Sequence, residues 1–428
     1  MPEQTQPAAP DRSRFAKNTA YQFALQIARY AFPLITLPYL TRVLTPEPYA
    51  VRAYVVAAMT FMLVFLNFGF HSYGTRAIAE ANGDKAAERT MTSAISILRV
   101  ALCAAGAIIM AIIVPFVPLL AANPLYVVIA YVETCLRALI PDFVFQGQED
   151  MGIITRRYVG SQTVAVILIF LCIHGPEDLI LVPTFELAAS AIALVWSWEN
   201  VLRVRKITFC RVAREKLREV LAGSSVFFVA TAATTLFNAF TTLLIGIVFA
   251  NDAALVSYWS IAMTAIGAMQ ALYVPINNSF YPHMVKRRDF DLLKKLLLFG
   301  VPAFAAITIP YAILSDWVML ILGGPDYVQG AYVITMTAPI LPFSYPAVLL
   351  GFPVLGAIGW EKQLTATSVI TAVYHISGML ILLALGMFTI PAVAALRCTT
   401  EVVLLISRAY YVRKYIKQNG TGTPKSAQ

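Results

Sequence analysis

Charged residues are scarce in this chain. Asp, Glu, Lys and Arg make up 13% of its 428 residues, whereas hydrophobic residues make up 59%. A soluble globular protein carries about 25% charged residues, so the shortage excludes a soluble enzyme, a disordered chain and a fibrous repeat. Because a membrane helix needs about 20 apolar residues, a chain of this length has room for roughly a dozen spans. We therefore predict an all-α polytopic membrane protein.

Cysteine and histidine are also few, and neither is clustered. The five cysteines are widely separated and show no CxxC or Cys/His ligand spacing, which argues against a disulfide framework and a zinc site. The four histidines are dispersed, and no nucleophile–base pairing or Gly-rich phosphate loop stands out. We therefore expect no enzymatic activity, no metal and no cofactor. Residues 1–17 lack the apolar core and cleavage site of a signal peptide, so we expect none to be removed.

Twelve apolar segments predict twelve transmembrane helices. Prolines interrupt the first segment at Pro33 and Pro38, the eighth at Pro275, and the tenth at several positions. Lipid tolerates such breaks only where neighbouring groups or a cavity satisfy the freed carbonyls. The segments lie near residues 18–44, 48–70, 91–117, 123–141, 153–174, 179–202, 219–249, 253–280, 294–321, 328–355, 364–387 and 389–411.

The distribution of Lys and Arg indicates which loops are cytoplasmic. With the N-terminus inside, basic residues concentrate in alternate loops, and only Arg42 and Arg52 fall at the outer side. Arg157 falls in an inner loop and Arg408 in the C-terminal tail. An excess of Lys and Arg in cytoplasmic loops is the positive-inside pattern. It explains the net charge of +9 without a nucleic-acid partner, and it predicts that both termini are cytoplasmic.

The two halves of the chain carry weak internal similarity, which predicts a 6+6 pseudo-repeat. Tyr54 and Met59 match Tyr258 and Met263, and Gly147-Gln148-Glu149 matches Gly359-Trp360-Glu361 at the equivalent inner loop. Parallel repeats of this kind are related by an axis along the membrane normal, so we predict two six-helix lobes around a central cavity. The predicted division is a tail at 1–17, an N-lobe at 18–202, a basic linker at 203–218, a C-lobe at 219–411 and a tail at 412–428.

Four arginines lie inside predicted spans: Arg29, Arg99, Arg137 and Arg397. Each costs about 2.5–3.5 kcal/mol if it faces lipid, so they should face the bundle interior or a watery cavity. Glu133 lies one helical turn from Arg137, and Glu401 one turn from Arg397. These pairs either pin helix packing or contribute to a substrate site.

Arg29 and Arg99 have no acidic residue at helical spacing. Arg29 continues a polar stripe with Gln22 and Gln26, which follows the helical period and therefore lies on one face. We expect Arg29 and Arg99 to line the cavity and attract an anion. The alternative is that they hydrogen-bond to backbone carbonyls.

The second half carries a neutral polar stripe that includes Asn238, suited either to sugar contacts or to helix–helix hydrogen bonds. His375 lies deep in a span and could carry a coupling proton, although a packing role is the simpler interpretation. Glu186 is the main carboxylate without a basic partner in sequence, because Glu133 and Glu401 are paired. The excess of Arg favours an anionic cargo such as a phosphate or carboxylate.

Several blocks of sequence resemble one transporter family. They include Phe32–Leu44, Phe68-Gly69-Phe70, Gly74-Thr75-Arg76, Phe145–Met151, Tyr281-Pro282 and Leu322–Pro325. Over almost its whole length the chain is similar to the oligosaccharide flippase (polysaccharide transporter) family of Wzx-type O-antigen flippases, in the multidrug/oligosaccharidyl-lipid/polysaccharide exporter superfamily. The residues that carry the motifs are Pro33, Pro38, Arg42, Gly69, Arg76, Gln146, Gly147 and Glu149. The chain departs from the family at Thr45, where a Gly is usual, at Pro48 and Ala50, and at Phe143, where a Trp is common.

The resemblance implies a flippase that moves undecaprenyl-pyrophosphate-linked oligosaccharide across the bacterial inner membrane, for O-antigen, capsule or exopolysaccharide assembly. It implies two six-helix lobes in a V, alternating between inward and outward openings. The implied partners are the lipid-linked oligosaccharide, the bilayer, and a polysaccharide polymerase with other glycan-assembly proteins. A two-lobed transporter can work as a monomer, which we expect here.

Three alternative functions remain open. A multidrug antiporter of the same superfamily would need buried carboxylates for cations, which the Arg-rich interior disfavours. A peptidoglycan-precursor flippase usually has more than twelve helices. A scaffold for glycan-assembly enzymes would have no need of costly intramembrane arginines.

Overall fold

The computed structural model describes residues 12–419, with side chains described except at 12–16, 230, 233–234, 236–238, 282 and 286. About 87% of the chain is helical, and residues 12–419 contain no strand. The helices are α1 (Arg12–Leu44), α2 (Pro46–Asn67), α3 (Phe70–Ala81), α4 (Lys85–Ile113), α5 (Pro118–Ala121), α6 (Pro124–Ala138), α7 (Asp142–Gly147), α8 (Met151–Cys172), α9 (Leu181–Glu199), α10 (Arg214–Val248), α11 (Ala254–Gln270), α12 (Tyr273–Arg287), α13 (Phe290–Ile313), α14 (Ser315–Leu322), α15 (Ala331–Thr337), α16 (Ile340–Leu349), α17 (Glu361–Ala384) and α18 (Ile390–Asn419).

Every predicted span coincides with one helix or with a bent pair of helices. Seven helices of the described chain are long and apolar enough to cross a membrane, and two bent pairs raise the number to nine. The other three predicted spans are α1, α6 and α10. Polar residues lower the mean hydropathy of α1, α6 has only 15 residues, and several side chains of α10 are not described. The all-helical fold with about twelve membrane helices is confirmed.

The eighth and tenth spans are broken as predicted, whereas the first span and the end of the last one differ from the prediction. The α11–α12 pair bends by 40° before Pro275, and the tenth span bends by 50° between α15 and α16 before a π-helical stretch at Leu350–Gly356. The first span, however, is one continuous helix through Pro33 and Pro38, so the predicted interruption there is wrong. Helix α18 extends from Ile390 to Asn419. It therefore continues into the predicted C-terminal tail, which was placed at 412–428.

Apolar packing divides the bundle into an outer and an inner end. The outer end has the turns at 45, 249–253 and 323–324. The opposite end is the inner end, and it has the connecting segments at 82–84, 147–150, 205–213 and 288–289. The N-half is residues 12–204 and the C-half is residues 214–419. At the outer end one large core takes residues from both halves. At the inner end the two halves have mostly separate cores, joined where α10 packs against the N-half. Val220 belongs to the N-half core, and the Phe228 ring stacks on Phe68 at 4.6 Å.

Polar contacts also tie the two halves together at the outer end. Thr41 at the end of α1 donates to the Leu322 carbonyl at 2.8 Å, and Arg42 donates to the carbonyls of Leu320 and Ile321 at 3.1 and 2.9 Å. Ser257 donates to the Pro46 carbonyl at 2.6 Å. The two halves therefore share a larger apolar core at the outer end than at the inner end.

The turn that joins α1 to α2 is strained. Thr45 has φ 51° and ψ 167°, a backbone conformation that is disfavoured for L residues and most of all for β-branched ones. Such a residue costs on the order of 1–3 kcal/mol and persists because the outer-end contacts of Thr41 and Arg42 hold the turn.

Replacing Thr45 with Gly should stabilise the protein. Glycine adopts this φ without a steric penalty, and its extra entropy when unfolded offsets only about 0.5–1 kcal/mol of the gain. We expect Thr45→Gly to raise the apparent unfolding temperature of detergent-solubilised protein, whereas the matched Thr45→Val should not. A Gly variant that melts at or below the wild-type temperature would contradict the assignment of strain.

Candidate functional site

Two of the four intramembrane arginines lie on the same accessible face of the N-half. The Arg29 guanidinium on α1 is 5.9 Å from the ring centroid of Tyr158 on α8. Arg137 on α6 is also within electrostatic range of the Tyr158 hydroxyl. Arg29 is exposed, and the Arg137 side chain is 50% exposed. We call Arg29, Arg137 and Tyr158 the cationic face.

The polar stripe of α1 extends the cationic face toward the inner end. Gln22 is exposed and Gln26 is half-buried, and both lie on the same side of α1 as Arg29 because the three positions follow the helical period. The stripe ends at Asn18, which accepts from the backbone N–H of Met151 at 3.3 Å and so joins α1 to the start of α8. The face therefore combines two guanidinium groups with amide groups able to bond sugar hydroxyls.

Carboxylates within the N-half spans are already engaged by arginine. Glu133 is 3.6 Å from Arg137 and accepts from Ser190 at 2.7 Å. Glu186, predicted to lack a basic partner, is 3.2 Å from Arg52, so that expectation is wrong. The partner was missed because Arg52 is on a different helix, 134 residues away in sequence.

Arg99 lies inside the packing of the N-half rather than on the cationic face. It is 3% exposed, donates to the Ile140 carbonyl at 2.9 Å and to Asn67 Oδ1 at 3.3 Å, and lies 5.3 Å from the Phe143 ring centroid. The predicted cavity-lining position is not observed. The alternative that was left open, hydrogen bonding to carbonyls, describes its position.

A buried ion pair that the sequence did not reveal lies beside Arg99. Arg157 of α8 donates to both carboxylate oxygens of Asp142 and to Ser197 Oγ at 2.8 Å. Only 6% of the Arg157 side chain is exposed, so its predicted location in an inner loop is wrong. Asp142 and Arg157 lie on different helices, so no helical spacing marks them as partners.

Arg397, Glu401 and His375, the predicted site residues of α17 and α18, are bonded within the C-half. Arg397 and Glu401 of α18 are 2.7 Å apart, and each side chain is only 6% exposed. Both ring nitrogens of His375 bond hydroxyls, of Thr241 at 2.7 Å and of Thr400 at 2.8 Å. Both contacts suit a histidine that holds helices together.

Arg408 and Asn238 are two further residues of the C-half whose positions were predicted. Arg408 was assigned to the C-terminal tail, but it is buried in α18 and donates to the Ala347 carbonyl at 2.7 Å. Its guanidinium lies against Gly351, where a Cβ atom would clash with it. The side chain of Asn238 lies outside the described residues.

The motif residues at the inner end occupy positions of close packing. Gly69 has φ +74° and lies against the Ser224 carbonyl of α10, so it brings the two halves together. Gly147 lies against Ile78, where any side chain would collide. Gln146 is half-buried beside it, and Glu149 is exposed in a turn with φ 56°.

The remaining motif residues lie on helix surfaces or at the outer end. Arg76 forms an exposed pair with Glu80 at 2.7 Å. Arg42 supports the outer-end contact described above. Within residues 12–419, no group of three or more His, Cys, Asp or Glu could hold a metal ion.

The chain is similar in sequence to one protein family and similar in fold to a set of solved structures. The sequence profile of the family described as "Polysaccharide biosynthesis protein" matches residues 15–287. The chain belongs to this family. It is 24% identical over 347 residues to the "Putative O-antigen transporter" of Escherichia coli strain K12, covering 76% of this chain and 80% of that one. It is also 24% identical over 376 residues to the protein of the same name from Shigella dysenteriae, covering 84% and 91%.

The fold is that of the multidrug resistance MATE transporters of the MOP superfamily. An inward-facing MATE structure superposes with a TM-score of 0.70 at 14% identity, covering 94% of this chain and 96% of that one. An outward-facing one gives a TM-score of 0.62 at 14% identity, with coverages of 97% and 99%. These likenesses show that the chain has the fold of those transporters, and its apolar helices make it a multi-pass membrane protein.

Removing the carboxylate from the Asp142–Arg157 pair should destabilise the N-half. Taking one member from a buried pair costs about 3–5 kcal/mol, because the other charge stays buried. We expect Asp142→Asn to lower the apparent unfolding temperature strongly and the double variant Asp142→Asn/Arg157→Met to recover much of it. The control is Glu199→Gln, which breaks an exposed pair with Arg203 at 2.9 Å and should cost at most about 1 kcal/mol. Equal effects of Asp142→Asn and Glu199→Gln would contradict the prediction.

Proposed function

We propose that this protein flips undecaprenyl-pyrophosphate-linked oligosaccharide across the bacterial inner membrane by alternating access. The polymer that it supplies is O-antigen, capsule or exopolysaccharide. Two relatives named as O-antigen transporters support this class of cargo. The observation that carries the proposal is the cationic face, which presents two accessible guanidinium groups within the span of the membrane.

A diphosphate is the anion that suits the cationic face. Guanidinium groups bind phosphate oxygens in a bidentate manner. Arg29 lies 5.9 Å from the Tyr158 ring centroid, and the charge of Arg137, on another helix, acts on the same tyrosine. The adjoining Gln22 and Gln26 offer amide donors and acceptors to the first sugars. An exposed arginine within a membrane span costs free energy, and an anionic cargo offsets that cost while it is bound.

Export of cationic drugs is the second candidate, and the charge pairing disfavours it. Such a cargo needs a carboxylate whose charge is not already balanced. Glu133, Glu186 and Glu401 each contact an arginine. A cation would have to displace a guanidinium from one of them, at a cost comparable to breaking a buried ion pair.

The proposed cycle uses the difference between the two ends of the bundle. The pyrophosphate–sugar head enters at the inner end, where the halves have separate cores, and the prenyl tail stays in lipid. The outer-end contacts of Thr41, Arg42 and Ser257 then break while the inner end closes, and the head is released outside. Arg99 acts in this cycle as a positioning residue, because it is buried and joins α4 to the Ile140 carbonyl and to Asn67. Arg397 is buried beside Glu401 of its own helix.

Replacing Arg29 should weaken transport more than it weakens folding. Hydrogen bonds to a charged group contribute about 1.5–3 kcal/mol, so we expect Arg29→Gln to lower translocation of lipid-linked oligosaccharide about 10- to 100-fold at normal protein level. Arg29→Lys should keep part of the rate, because lysine retains the positive charge but lacks the planar set of N–H donors that binds phosphate in a bidentate manner. The control Arg203→Gln removes an exposed arginine at the inner end and should leave the rate unchanged. Wild-type export by Arg29→Gln would refute the role of the cationic face.

Deletion of the gene distinguishes the two candidate cargos. We expect loss of a surface glycan and accumulation of undecaprenyl-linked repeat units at the cytoplasmic face. An unchanged glycan profile together with greater sensitivity to cationic drugs would instead identify a drug exporter.

A further inference from the structure

A large apolar groove lies on the C-half, away from the cationic face. It runs between α13 and α18 and has α16 as its floor, with a volume of about 1450 Å³. Leu297 and Val301 of α13, Phe343 of α16 and Ile406 of α18 supply apolar walls. Sites for drug-sized ligands have volumes of about 300–1,000 Å³, so this groove has room for a larger apolar molecule.

The inner-end rim of the groove is basic. Lys294 at the start of α13 and Arg413, Lys414 and Lys417 at the end of α18 line it, with one carboxylate, Asp291. All four basic side chains are exposed. Among the ion pairs of residues 12–419, none involves any of these four. Four cations against one carboxylate leave a net positive rim beside an apolar slot.

The corresponding place in the N-half is covered by the chain itself. By order along each half, α4 corresponds to α13 and α9 to α18. The linker between the halves crosses from α4 to α9: Arg89 donates to the Phe209 carbonyl at 2.7 Å, and the Cys210 N–H donates to Ser93 Oγ at 3.0 Å. The Phe209 ring lies 5.1 Å from the ring of Trp198. In the N-half, therefore, an apolar residue of the linker lies where the C-half has its groove.

The chain that follows α18 is a poor substitute for this linker. Residues 420–428 are Gly-Thr-Gly-Thr-Pro-Lys-Ser-Ala-Gln, which contain no aromatic or branched aliphatic side chain. They also add a lysine to a rim that is already positive. An apolar molecule with a negative head therefore fits the groove better than the C-terminal tail does.

We propose that the groove binds an anionic phospholipid of the cytoplasmic leaflet. The acyl chains lie between α13 and α18 over Phe343, and the phosphate of the headgroup pairs with Lys294, Arg413 and Lys414. Basic pockets between membrane helices on the cytoplasmic side are suited to anionic headgroups. The bound lipid is a resident of the groove and is distinct from the transported cargo, so the proposal does not depend on the proposed function.

Native mass spectrometry of the purified full-length protein, titrated with phosphatidylglycerol or phosphatidylcholine, tests this site. The variant Lys294→Gln/Arg413→Gln/Lys414→Gln should bind phosphatidylglycerol about 10- to 100-fold more weakly than wild type. The control Arg211→Gln/Arg214→Gln/Arg218→Gln removes three exposed charges from the linker region and should retain binding. Equal losses in both triple variants, or wild-type affinity for phosphatidylcholine equal to that for phosphatidylglycerol, would overturn recognition of the headgroup.

Filling the groove tests the position of the acyl chains separately. Ala409 lines the groove, so Ala409→Trp should reduce phosphatidylglycerol binding while all four rim charges remain. Undiminished binding by Ala409→Trp would overturn the placement of the lipid in the groove. Tighter binding of phosphatidylglycerol after removal of residues 420–428 would also overturn this placement, because it would show that the tail occupies the groove.

Discussion

The cost of placing a charge among apolar helices decides where the side chains of this protein lie. In a chain with 13% charged residues, each guanidinium or carboxylate inside a span must find a partner, a backbone carbonyl or water. Asp142, Glu133, Glu186 and Glu401 are all engaged by arginine. The pairs of Glu186 with Arg52 and of Asp142 with Arg157 join helices of the N-half, whereas the other two lie within one helix each. Arg29 contrasts with them, because it is exposed and lies beside an aromatic ring rather than a carboxylate.

The two halves are joined differently at the two ends of the bundle. One core joins the halves at the outer end, whereas each half has its own core at the inner end. At the inner end the halves meet where α10 packs against Gly69 and Phe68 of the N-half. Opening the outer end requires the shared core and the contacts of Thr41 and Arg42 to separate. In the proposed cycle, the binding of an anionic cargo supplies the free energy that this separation requires.

The two proposals assign lipid to two separate places. We propose that the cationic face of the N-half binds the head of the transported cargo and that the C-half groove holds a resident lipid. Among residues 12–419, the linker covers α4 and α9, and no described segment covers α13 and α18 in the same way. A duplicated fold thus has two unlike surfaces, because its two halves are followed by different segments of chain.

Hydropathy and the alternation of basic loops were sufficient to predict the membrane helices and their approximate number. The bilayer sets a minimum length of apolar sequence for each span and favours basic residues in cytoplasmic loops, and both features are visible in local sequence. The same local reasoning identified the pairs of Glu133 with Arg137 and of Glu401 with Arg397, whose members lie one turn apart on a single helix. It failed for Arg52 with Glu186 and for Arg157 with Asp142. Which helix faces which is decided by tertiary packing, and so is the difference between buried Arg99 and exposed Arg29. Burial of a charge depends on neighbours distant in sequence, and only the folded bundle brings them together.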